Sequence, residues 1–127
     1  MPAKQVYEYA LIRYVPRVER EEFLNVGVAL FSKRLRFLDV RIHLDEARIL
    51  AFHPDTDLEE LRAYLDSWVS ICRGEKDAGR IAQLEAPERF RWLTATRSTI
   101  IQSSRVHPGM TDDPEGTLEK LFRDYVC

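Results

Sequence analysis

The sequence predicts an α+β fold, a mainly antiparallel sheet of about four strands with helices packed on it. Three observations predict it. Strand-like runs rich in β-branched and aromatic residues come first, the second and third joined by only the four residues KRLR. A capped amphipathic helix follows them, and the chain then regains strand character before a last helix.

The first strand is VYEYALIRYV, Val6 to Val15, in which Glu8 and Arg13 are the only charges, and Pro16 ends its ladder. Alternation across a sheet places Arg13 on one face with Tyr7, Tyr9, Leu11 and Val15, and Glu8 on the other with Ala10, Ile12 and Tyr14. NVGVALFS (25–32) reads as the second strand and FLDVRIHL (37–44) as its antiparallel neighbour. The alternation of Leu38, Val40, Ile42 and Leu44 against Asp39, Arg41 and His43 gives the third strand one wet face.

Asp45 is placed to cap a short helix that Pro54 closes. Thr56 to Glu59 has the form of a capping box. From there Leu58, Leu61, Leu65, Trp68 and Cys72 recur every three or four residues down to Gly74, one apolar stripe laid on the sheet. EKDAGRIAQLEAPERFRWL reads as one broken helix or two, with Pro87 in the first turn of the second. TIIQSS suits a fourth strand, and RVHPGMTDDP, with two prolines, a glycine and two aspartates, reads as loop. Asp113 and Pro114 start a final helix whose apolar positions are Leu118, Leu121, Phe122 and Val126.

The 127 residues suffice for a single domain, 1–127, that buries roughly two thirds of the surface its unfolded form would expose. A composition 45% hydrophobic and 31% charged is that of a folded globular chain, and no apolar run nears the length of a membrane span. No signal-peptide pattern opens it, so a cytoplasmic location is expected. With 19 basic and 21 acidic residues interspersed, nothing draws the chain to nucleic acid or an anionic membrane. Cys72 falls on the apolar stripe and reads as a buried thiol, and Cys127 is terminal. His43, His53 and His107 are too far apart for local metal-ligand pairs, and phosphate-loop, dinucleotide and serine-elbow motifs are missing. No metal or cofactor is expected.

Polar residues inside apolar strands remain to be explained. Arg13 needs a partner, because a guanidinium taken from water costs several kcal/mol unless paired. Glu19, Glu21 and Glu22 supply carboxylates nearby, so an internal ion pair is the plainer account and anion binding the alternative. Asn25, at a strand start, suits loose backbone groups or a ligand, and Gly27 permits a bulge or close backbone approach. The segment RFRWLTATRSTIIQSSRVHPG interleaves Arg89, Arg91, Arg97 and Arg105 with Trp92, Ser98, Ser103, Ser104 and His107. Such forks and hydroxyls suit phosphate or carboxylate oxygens. Gln102 is an oddity of the same kind as Arg13.

YEYALIRYVPRVEREEFLNVGVALF, RFRWLTATRSTIIQSSRVHPG and DDPEGTLEKLFRDYV together resemble the family called domain of unknown function 3037 over nearly the whole chain. Glu21 stands where that family's pattern often has glycine. The resemblance implies that Arg13, Glu22, Asn25, Gly27, Arg97, Ser98, Gln102 and His107 are the positions to test. It brings no reaction or cofactor, but it implies a partner role, since such bacterial proteins are often encoded beside HipA-like kinases.

Two functional expectations follow. One is a small binding module that engages a protein such as a HipA-like kinase. The other is an enzyme or nucleotide-binding domain for a phosphate-bearing ligand, in which Arg13 and Arg97 hold the anion, Glu22 or His107 moves protons and Asn25 orients the ligand.

Overall fold

The computed structural model describes residues 3–97 and 99–127. Strand β1 (Gln5–Tyr14) is followed by a 3₁₀ turn (Val18–Arg20), β2 (Leu24–Ser32), β3 (Phe37–Ile42), α1 (Glu46–Phe52) and α2 (Leu58–Cys72). A second 3₁₀ turn (Ile81–Gln83), α3 (Ala86–Thr94), β4 (Ile101–Ser103), β5 (His107–Thr111) and α4 (Pro114–Tyr125) complete the order. The strands run β3-β2-β1, and β4 and β5 share the free side of β1, every pair antiparallel. The class is α+β, with five strands rather than about four.

Alternation along β1 sorts the core into two halves. Ile12 and Tyr14 face one way, with Val26, Ala29, Phe31 and Val40, beneath Ile49 of α1, the stripe of α2 and Phe90 and Leu93 of α3. Tyr7, Tyr9 and Leu11 face the other way, with Val28 and Leu30, beneath Leu118 and Leu121 of α4. Cys72 is fully buried in the first half, and burial pushes its thiol up to about 12.

Two capping details depart from the sequence reading. Asp45 caps α1 as expected, accepting from the Arg48 amide at 3.1 Å. The cap of α2, however, is Asp57, which accepts from the Glu60 amide at 3.1 Å. The Thr56 hydroxyl instead donates to the His53 carbonyl at 2.7 Å and lies 2.9 Å from the Tyr14 hydroxyl. A carboxylate one residue nearer the helix displaced the hydroxyl from the capping role.

The segment read as loop after Arg105 contains β5. Proline is tolerated there because β5 is an edge strand, and Gly109 is required because a Cβ would sit 2.4 Å from Tyr7 Cζ. Between β4 and β5 the ladder continues through Ser104. Its amide donates to the Leu11 carbonyl at 2.8 Å, and its Oγ accepts from the Leu11 amide at 2.8 Å.

The register of β1 against β2 slips once. Ile12 faces Gly27 but Arg13 faces Asn25, so Val26 is the extra residue of a β-bulge. Gly27 lies between Ile12 and Ile42, where an added Cβ would be 2.5 Å from Ile42 Cδ1 and 2.8 Å from the Arg41 carbonyl oxygen. Both uses foreseen for this glycine, bulge and close approach, occur together. Gly27→Ala is expected to cost about 2 kcal/mol of stability in a denaturant titration, as overpacking against backbone does.

On the open edge, Arg41 of β3 pairs with Asp39 at 3.0 Å and with Glu115 of α4 at 2.7 Å, while Arg73 reaches Asp39 at 3.1 Å. Burial works against the Asp39 charge, but the Val40 amide and the two arginines outweigh it and hold its pKa below 3.8. A lowered folded pKa stabilises above the unfolded value and is lost as pH falls through the folded one. Asp39→Asn should therefore cost about 1 kcal/mol at neutral pH, with the difference closing below about pH 4 in acid titrations of stability.

Candidate functional site

The bulge decides where Asn25 points. In an unbroken register Asn25 would face Tyr14, on the side packed by α1 to α3. The slip turns it to the face of Arg13. Arg13 also faces Gln102 on β4, so Asn25, Arg13 and Gln102 form one polar row across three strands.

Two of the three carboxylates expected to neutralise Arg13 are engaged elsewhere. Glu19 pairs with Arg17 at 3.0 Å and Glu22 with Arg20 at 2.5 Å, both in the exposed turn after β1. Among the described residues no acidic group lies within ion-pair distance of Arg13, and its buried Nε has no hydrogen-bond partner. This overturns the internal-pair account. The guanidinium instead lies 4.0 Å from the centre of the Phe23 ring, and burial pulls its pKa down. It stays charged all the same, because arginine does not deprotonate in proteins.

Arg13 opens onto a cleft of about 390 Å³ together with Gln102, Phe23, Thr96, Glu21 and Arg97. The two arginines singled out in the sequence thus converge on one concavity. Arg97 is fixed by α3: its Nη2 donates to the Trp92 carbonyl near the helix end, and its guanidinium lies 4.0 Å over the Trp92 ring. Gln102 is held by its own donation to the Thr99 carbonyl at 2.8 Å. Glu21 brings the one carboxylate of the lining, from an exposed position with φ of 56°. Glycine would take that left-handed conformation more freely than glutamate does.

The other candidates lie apart from the cleft. Glu22 lines a separate concavity with Arg20, His53 and Asp55. His107 is exposed on β5, its ring centre 5.2 Å from that of Tyr9. Tyr9 is four residues along β1 from Arg13, roughly 13 Å at strand spacing. Asn25 shares the face of Arg13 but donates its amide to the Tyr125 carbonyl at 3.4 Å, at the end of α4, and its buried Oδ1 is unpartnered. Asn25 also lines a void of about 10 Å³, room for about one water. Ser98 falls outside the described residues.

A second concavity, about 430 Å³, adjoins the first through Arg97 and is walled by Tyr64, Trp68, Trp92, Ile100 and Ile101. The sequence concealed it because Tyr64 and Trp68 sit at helical spacing on α2 and read as ordinary helix positions. The signal available was that Glu60, Tyr64, Ser67 and Ile71 trace a second stripe beside the core stripe. Among the described residues no group of three or more His, Cys, Asp or Glu side chains could hold a metal ion, and no helix is long and apolar enough to cross a membrane.

Compared with known proteins, residues 9–126 match the family model described as Protein of unknown function (DUF3037). No curated protein and no solved structure matches the chain.

A lone, part-buried guanidinium makes Arg13→Met a diagnostic substitution. Removing a member of a buried ion pair costs about 3–5 kcal/mol, whereas removing an unpaired cation sheds its desolvation penalty. Arg13→Met should therefore change stability by no more than about 1 kcal/mol, the worth of the contact with Phe23. Chemical denaturation checks this.

Proposed function

The chain belongs to the DUF3037 family, proteins of unknown function, and on that premise we propose that it is a binding module for a small anionic ligand, held in the cleft between Arg13 and Arg97. The observation that carries this reading is the unpaired Arg13 guanidinium, whose buried Nε has no hydrogen-bond partner and which shares its cleft with a second arginine. A scaffold gains nothing from leaving such a charge unpaired. A ligand oxygen supplies what is missing, and a charge-assisted hydrogen bond in a partly dry cleft is worth about twice a neutral one.

Preorganisation favours the same reading. Arg97 is held by the Trp92 carbonyl and ring before any ligand arrives, and Gln102 is tied to the Thr99 carbonyl, so little side-chain freedom is lost on binding. Two cations against one exposed carboxylate, Glu21, leave the lining net positive. Binding rather than turnover is favoured because Glu22 and His107, the acid–base candidates, lie outside this cleft.

Docking of a protein such as a HipA-like kinase is the second reading. It is favoured by Val6 and Met110, a cross-strand pair 54% and 57% exposed beside the β5 edge. Co-purification of the two proteins, lost in Met110→Lys, is its test.

For the anion reading, thermal-shift titrations with inorganic phosphate and pyrophosphate are the direct test. Saturation to about 100 times the dissociation constant should add about 2.7 kcal/mol of stability. Arg13→Met and Arg97→Met should each weaken binding at least tenfold, as loss of a charged hydrogen bond requires. A wild-type protein indifferent to both anions, and to citrate, would refute the reading.

A further inference from the structure

Arg97 borders both concavities, so the anion cleft adjoins the aromatic groove at that side chain. An inorganic anion would use only the cleft. The groove beside it has a different chemistry: Trp68 is nearly buried, Tyr64 is half-exposed, and Trp92 is already stacked under a guanidinium. Its polar groups are few, namely Glu60, Ser67 and Thr99 besides Arg97. The α2 side chains of the groove run from Glu60 to Ile71, roughly 16 Å along the helix axis, enough for a ring and the sugar that joins it to a phosphate.

We infer that the ligand is a nucleoside phosphate, its phosphate between Arg13 and Arg97 and its base in the groove against Tyr64, beside the tryptophans. This rests on the anion reading above and adds the ligand class to it. The half-exposed Tyr64 ring in an aromatic lining suits a planar ring, because stacking on an aromatic side chain is favourable for every base. Charge is complementary as well. Arginine stands where the phosphate lies, and the one carboxylate of the groove, Glu60, accepts from ring N–H and amino groups. Guanine presents two such donors side by side, and uracil presents one. A fatty acyl chain would leave Glu60 and the hydroxyls without partners, and so fits the lining less well.

Calorimetric titration of the wild-type protein with ribose 5-phosphate, guanosine 5′-monophosphate and uridine 5′-monophosphate tests this. Guanosine monophosphate is expected to bind at least tenfold more tightly than ribose 5-phosphate, with quenching of tryptophan fluorescence. Tyr64→Ala, at a half-exposed position the core does not need, should remove most of that advantage and leave ribose 5-phosphate binding unchanged. Glu60→Gln should narrow the gap between the guanosine and uridine compounds. If all three compounds bind alike and Tyr64→Ala changes nothing, the groove is unused and this inference fails while the anion site stands. If none binds, and inorganic phosphate and pyrophosphate do not either, both fall.

Discussion

The single slipped residue between β1 and β2 is the constraint on which the site and much of the sheet depend. Val26 is accommodated only because Gly27, next to it, has no side chain to collide with Ile12, Ile42 and the Arg41 carbonyl. Once the slip is made, everything before Val26 on β2 changes face relative to β1. Leu24 then joins the core beside Tyr14, and Asn25 moves over to the α4 side, where its amide reaches the last turn of that helix. The same slip puts an amide rather than valine opposite Arg13. An amide and a glycine inside an apolar strand are thus two halves of one device: one makes the bulge possible and the other uses the altered direction.

Arg13 shows how a sheet can carry an expensive charge. It lies near the end of the central strand with polar cross-strand neighbours on both sides, Asn25 and Gln102, so no apolar residue opposes it directly. Phe23 covers one face of the guanidinium, and the cleft leaves another side open to water or a ligand. Of the carboxylates that follow in sequence, Glu19 and Glu22 are used within their own turn, each by the arginine two residues before it, and Glu21 lines the cleft without pairing with Arg13. Short-range pairs form there at low entropic cost. The charge is therefore tolerated by partial exposure rather than cancelled.

Much of the fold was legible because it follows from period and punctuation. The alternation of β1 and β3 and the 3–4 spacing of α2 each report a face that must be buried, and each element formed where its pattern said. β5 was not legible, since His-Pro-Gly has the composition of a loop. Only the edge position and the Tyr7 ring, both tertiary facts, make proline and glycine acceptable there. The same limit applies to the site. That Arg13 and Gln102 were polar in apolar surroundings was visible, and they proved to be direct neighbours. That Glu22 would turn to Arg20, or that His107 would lie beside Tyr9 well along the strand, depends on register and turn geometry that no local pattern encodes.

Cys72 has a practical consequence. With its sulfur sealed in the core and its thiol weakly acidic, it holds almost no thiolate at neutral pH, while Cys127 is exposed. Maleimide chemistry on the native fold will therefore select Cys127 over Cys72. A fluorophore or spin label can be installed there without engineering a cysteine-free background, beside the end of α4 and remote in sequence from both concavities.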